Sequence, residues 1–210
     1  MKVKSFSIGS KNYPNEDRMV IQNMGIYGIA FVLADGMGGL SLGDLAAEVV
    51  TESVAGYLMK NYEGFAEREI MHKALACADL ELRRVSIEKR SNMGAAVALA
   101  IIIDHELYCT WQGNVRIYIR HKGITDLLTI DHLAKIGYGR TALTRCIKGV
   151  GLRDDVPYLV NNLTEGDNVY ICTDGMYKVA EKKLGLINME EITEKVEAPE
   201  DDATLIEVTI

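Results

Sequence analysis

The chain has 210 residues, 48% hydrophobic and 25% charged, with 30 acidic against 23 basic side chains and a formal net charge of −7. That length buries a full core in one domain or at most two small ones, and the acidic balance disfavours a general nucleic-acid or anionic-membrane surface. Only 3 prolines and 19 scattered glycines leave no linker-rich or disordered stretch.

Residues 3–8, 19–22 and 26–34 read as strands, the third almost continuously apolar and therefore central. From Gly43 a helical pattern places Ala46, Ala47, Val50, Val54, Tyr57 and Leu58 on one face. A second helix is expected over about 66–89, with Met71, Leu75, Ala78, Leu82 and Val85 along its seam. Strands follow at 95–103, 107–112, 115–120 and 124–128, joined by short polar turns that suit hairpins. Further strands are expected at 156–160 and 168–173, a short helix at 189–195, and a last strand at 203–210. Two neighbouring helices set among many short strands indicate an α+β sandwich, not a parallel βαβ sheet.

No apolar leader follows the N-terminal lysines, and the longest apolar runs are too short to span a bilayer. Cys77, Cys109, Cys146 and Cys172 form no C-x-x-C pair, so buried, reduced thiols are expected rather than a zinc site. A cytoplasmic location is the expectation.

The acidic residues fall at informative places. Asp35 ends the most apolar strand and is followed by Gly36-Met37-Gly38-Gly39, and Asp174 ends another and is followed by Gly175. Asp201-Asp202 precedes the last strand, and Glu16-Asp17 precedes the second. Each Asp-Gly taken singly is explained by turn chemistry. Four acidic positions at the ends of buried strands are costly without compensating charge, and a hard divalent cation such as Mg²⁺ or Mn²⁺ would supply it.

The ordered set Asn15-Glu16-Asp17, Asp35-Gly36-Met37-Gly38-Gly39, Gly113-Asn114-Val115-Arg116, Leu143-Thr144-Arg145, Thr173-Asp174-Gly175 and Asp201-Asp202-Ala203-Thr204 resembles the PPM family. These are the metal-dependent, type 2C protein serine/threonine phosphatases, and the likeness runs from about residue 5 to the C-terminus. It implies a four-layer sandwich, two antiparallel sheets flanked by helices, forming one catalytic domain over 1–210. It implies hydrolysis of phosphoserine and phosphothreonine in proteins by a hydroxide bridging two Mn²⁺ or Mg²⁺ ions. By the resemblance Asp35 bridges both ions, the Gly36 carbonyl binds one, and Asp17, Asp174 and Asp201 complete the shells, with Glu16 acting through water. Asp202 has a supporting role or none. The implied partner is a phosphorylated protein, opposing a serine/threonine kinase, with no nucleic acid or membrane and the protein a monomer.

Several positions depart from the family pattern. Asn12 stands where relatives carry a phosphate-gripping arginine, which leaves neighbouring Lys11 as the phosphate-binding candidate. Asn114 replaces an aspartate that helps hold a third metal, so a third site is doubtful. The flap that relatives insert before Leu143 is largely absent, and Met37 stands where some relatives have a histidine, with His132 the nearest alternative proton donor. These departures leave open a second reading, a catalytically weak phosphatase-like regulatory or phosphopeptide-binding module.

Overall fold

The computed structural model describes residues 1–11, 13–37, 42–63, 68–137, 139–153, 155–196 and 199–210. In chain order the elements are β1 (Lys2–Ile8), β2 (Asp17–Asn23), β3 (Ile29–Gly36), α1 (Gly43–Asn61), α2 (Arg68–Lys89) and β4 (Ala95–Ile103). Then come β5 (Glu106–Gln112), β6 (Arg116–His121), β7 (Ile124–Leu127), β8 (Leu133–Gly137), β9 (Arg140–Leu143) and β10 (Leu159–Asn162). The chain finishes with β11 (Asn168–Cys172), α3 (Asp174–Ala180), α4 (Met189–Lys195) and β12 (Ala203–Thr209).

Strands that are apolar on both faces must be covered on both faces, and this requirement produces the layers. One antiparallel sheet has the order β10-β5-β4-β3-β2 and the other β1-β12-β11-β6-β7. In β3, Ala30, Val32 and Ala34 pack against α1 and α2, whereas Phe31 and Leu33 point between the sheets, where Ile117, Ile171 and Ile206 meet them. The outer face of the second sheet offers Tyr170, Cys172 and Leu205 to α3 and α4. The result is the expected α+β sandwich of four layers. Every seam residue expected in the second helix is buried, each large one contributing roughly 1.5–3 kcal/mol.

Two local expectations are corrected. The strand expected at 26–34 is interrupted, because Gly28 adopts φ 88° with a preceding 3-10 turn at Gly25–Tyr27, and β3 instead runs on through Asp35 to Gly36. The strand expected at 156–160 is displaced to β10, since Pro157 has no N–H for a ladder. β8 and β9, which carry no strand signal in the sequence, pair as a small separate sheet whose side chains are mostly exposed. No helix among the described residues is long and apolar enough to cross a membrane.

Candidate active site

Asp17 opens β2 and is the register partner of Asp35 in β3. Both side chains therefore leave the face that looks toward the second sheet, the face of Met19 and Leu33. The Gly36 amide donates to the Glu16 carbonyl at 3.1 Å. A Cβ on Gly36 would collide with the carbonyl oxygens of Gly43 and Glu16, so the close passage requires glycine. Glu16 in turn lays its carboxylate over Gly43, accepting that backbone N–H at the positive end of α1.

The second sheet brings its own acids to the same end. Asp174 begins α3, and Gly175 lies so tightly on the backbone of Asp201 and Asp202 that a Cβ would strike the Asp202 carbonyl. Asp174 and Asp201 thereby stand side by side, and Lys178 Nζ reaches Asp174 Oδ2 at 2.8 Å and Asp201 Oδ2 at 3.5 Å. Asn114 Nδ2 donates to the same Asp174 oxygen at 3.1 Å.

Between these ends lies a cleft of about 710 Å³ whose lining includes Glu16, Asp35, Gly36, Asp174, Asp201 and Asp202. Asp17 is set one layer behind and is only 3% exposed. Its Oδ2 accepts hydroxyl hydrogen bonds from Thr173 at 2.8 Å and Thr204 at 2.7 Å, while its buried Oδ1 has no partner among the described residues. Lys11 is exposed and is not among the described residues lining the cleft. Asn12, Gly38 and Gly39 lie outside the described residues.

Crowding has an electrostatic consequence. Burial, then the charges of Asp17, Asp174, Asp201 and Asp202, push the Asp35 carboxyl well above its ordinary range. Burial pushes Asp17 up to about 8 although the two threonine hydroxyls oppose it. Asp174 is raised by burial against the opposing pull of Lys178, and Glu16 by burial and by Asp202. An all-oxygen donor set held at this cost, with one buried carboxylate oxygen unpartnered among the described residues, fits hard divalent cations. Among the described residues no three of these acids are already closed into a tight ligand set. Lys178 pairs with Asp174 and Asp201, backbone amides hold Glu16 and Asp202, and threonine hydroxyls hold Asp17.

The other motif residues have structural partners. Arg116 grips Asp131 with two hydrogen bonds of 3.0 and 2.8 Å, donates to Glu181 at 2.8 Å and stacks over Tyr177 at 3.8 Å. His132 accepts the Gly113 amide through Nδ1 at 3.1 Å and stacks on Trp111, so it is built into the wall behind the cleft. Burial, then the charge of Arg145, lowers its pKa. Met37 lines the cleft and has no proton to give. Sequence reasoning missed the roles of Thr173, Thr204 and Lys178, and left Asp202 without a defined one. The signal for Lys178 was its spacing of four from Asp174, which gains meaning only once that segment is a helix.

The family model described as Protein phosphatase 2C matches residues 7–207. The chain belongs to the protein phosphatase 2C family. Its fold is similar to that of the serine/threonine phosphatase Stp1 from Staphylococcus aureus, with a TM-score of 0.84 at 18% identity, covering 100% of this chain and 94% of that one. It is likewise similar to PstP/Ppp of Mycobacterium tuberculosis, with a TM-score of 0.83 at 17% identity over 100% of this chain and 98% of that one. The catalytic domain of the phosphatase PstP in complex with two manganese ions aligns with a TM-score of 0.78 at 19% identity, covering 98% of this chain and 96% of that one. Among curated proteins, Probable protein phosphatase 2C 14 of Arabidopsis thaliana is 31% identical over 102 residues, 49% of this chain. The match spans only 22% of that plant protein.

Proposed function

We propose that this protein phosphatase 2C family member removes phosphate from phosphoserine and phosphothreonine side chains of proteins, with residues 1–210 forming one catalytic domain. The observation that carries the proposal is Asp35. It stands in the cleft opposite Asp17, with its carboxyl driven upward by burial and by four neighbouring acids. Two divalent cations, Mn²⁺ or Mg²⁺, would be held by Asp35, the Gly36 carbonyl, Asp174 and Asp201, with Asp17 and Glu16 supporting them. Bound there, they would supply an activated water and neutralise charge growing on the phosphoryl oxygens.

The chain's own residues define the rest. Asp202 and the Asp17 threonine pair hold the two sheet ends at a fixed separation. Burial raises the thiols of Cys109, Cys172 and Cys146, and none of the four cysteines lines the cleft, which argues against a thiolate nucleophile. With Met37 inert and His132 turned to Gly113, the leaving seryl oxygen takes its proton from water in the cleft. β8 and β9 bring Leu133, Thr141, Ala142 and Leu143 to the rim, which we read as an open cleft lacking the longer flap of relatives. We further propose a monomeric cytoplasmic enzyme that opposes a serine/threonine kinase. Free cysteines and the lack of a membrane-crossing helix among the described residues support that location.

A phosphopeptide-binding module of low turnover is the second reading. Its low turnover is favoured by the commitment of Arg116 to Asp131 and Glu181 and by the absence of Lys11 from the described lining, so that no uncommitted guanidinium among the described lining residues grips the transferring phosphoryl group. Hydrolysis of p-nitrophenyl phosphate by purified protein, in Mn²⁺ and in EDTA, separates the two. Turnover that EDTA abolishes supports the enzyme, and phosphopeptide binding without turnover supports the module.

A further inference from the structure

Lys148 and Lys178 both line the cleft, and among the described residues Lys178 is the lysine that pairs with its carboxylates. Lys178 lies one helical turn beyond Asp174 on α3, and its Nζ pairs with Asp174 at 2.8 Å and with Asp201 at 3.5 Å. Asn114 reaches the same Asp174 Oδ2 from the turn between β5 and β6, at 3.1 Å. One carboxylate oxygen thus receives a charged donor and a neutral one. That is the compensation a metal ion would otherwise give it. The Lys178 side chain is 57% exposed whereas that of Asp174 is 16% exposed, so the ammonium reaches in from the solvent side and can leave without breaking packing. Arg116, the other cation near Tyr177, is bound to Asp131 and Glu181 and cannot substitute for it.

We propose that Lys178 is a built-in counter-cation of the active site. Its ammonium neutralises Asp174 and Asp201, and a divalent cation that uses those two carboxylates must displace it. Lys178 thereby sets the metal affinity at that end of the cleft, weakening it relative to a site with a neutral residue there. This inference rests on the two-cation reading above. Lys178 acts through Asp174 and Asp201 and is a positioning residue.

The test is calorimetric titration of Mn²⁺ into chelator-stripped wild type, Lys178→Met and Lys178→Arg at one ionic strength, with no substrate present. Removing an exposed pairing partner and its repulsion of the incoming ion should tighten Mn²⁺ binding by Lys178→Met about five-fold or more. Lys178→Arg should stay near wild type, and added salt should shrink the difference. A merely structural role predicts the opposite sign, because damage to the site weakens binding. Equal or weaker Mn²⁺ binding by Lys178→Met overturns the counter-cation role while leaving the metal site standing. Absence of Mn²⁺ binding by all three proteins overturns the two-cation reading and this inference with it. Lys178→Gln is read in the same way if the methionine variant does not fold.

Discussion

Asp202 Oδ2 accepts the backbone N–H of Glu16 at 2.7 Å, across 186 positions of chain, and its Oδ1 takes the Ser10 amide at 2.6 Å. This buried carboxylate fastens the loop that carries Glu16 and Asp17 to the strand entering from the C-terminal side. Asp201, its neighbour, has a side chain 58% exposed and turns to Lys178. The tandem aspartates divide the work: one fixes backbone, the other faces the cleft.

Truncating them should give different phenotypes. Asp202→Ala leaves two amides without their charged acceptor, a loss of about 1–3 kcal/mol. Thermal melts in EDTA should therefore fall for Asp202→Ala and stay near wild type for Asp201→Ala. Mn²⁺ titration should show a direct loss of affinity in Asp201→Ala. Equal melting temperatures for the two variants would mean that Asp202 does not tie the loop down.

Gly175 tests the close approach of α3 to the last strand. A Cβ there meets the Asp202 carbonyl, which is backbone and cannot swing away. Gly175→Ala should destabilise by about 1–3 kcal/mol by chemical denaturation, and should also separate Asp174 from Asp201 and weaken Mn²⁺ binding. Gly123→Ala is the contrasting control: no atom crowds its Cβ, although its φ of 86° adds local strain. A Gly175→Ala protein with wild-type stability and Mn²⁺ affinity would contradict this geometry.

Arg116 is the arginine of the Gly113-Asn114-Val115-Arg116 motif, and its contacts are those of a brace. Arg116→Lys keeps the charge but cannot reproduce the two-pronged grip on Asp131, the Glu181 contact and the stacking on Tyr177 together. Breaking a mostly buried pair of this kind costs roughly 2–4 kcal/mol. Urea unfolding should show that loss, and a value within error of wild type would remove Arg116 from the framework.

How much could be read in advance follows from burial. β4 has nine consecutive residues from Ala95 to Ile103 that are apolar, and its bounds were legible without error. The α2 seam was legible for the same reason. β8 and β9 were not, because exposed residues such as Lys135 and Thr141 carry no alternation that a half-buried strand would impose. α3 was hidden because Asp174-Gly175 reads equally well as a turn, and with it went Lys178. The acidic positions themselves were legible through their place at strand ends. What ordering alone left open was depth: Asp17 lies behind the cleft and Asp202 faces the backbone, and tertiary contacts decide both.

Away from the cleft, Asp167 predicts an acid limb of stability. Burial raises its carboxyl, but hydrogen bonds from the Thr164 amide, His121 and the Thr164 hydroxyl, with the His121 charge, outweigh burial and hold it below its ordinary value. A folded-state pKa below the unfolded one stabilises the protein above the usual aspartate range, and that contribution disappears as pH falls through the folded value. Asp167→Asn should lower stability at neutral pH and flatten the decline on acidification. A melting profile between neutral and acidic pH that is parallel to wild type would show that Asp167 contributes nothing to it.

The central claim is that Asp35 is the hub of a metal-dependent phosphatase site. Phosphate release from a phosphoserine peptide by wild type and Asp35→Asn, each in Mn²⁺, tests it most directly, with a circular dichroism spectrum to establish that both are folded. Turnover should fall by orders of magnitude in Asp35→Asn while the spectrum is unchanged, since the substitution removes a carboxylate raised by burial and like charge and leaves the packing of β3 intact. A folded Asp35→Asn protein that releases phosphate at the wild-type rate would contradict the account.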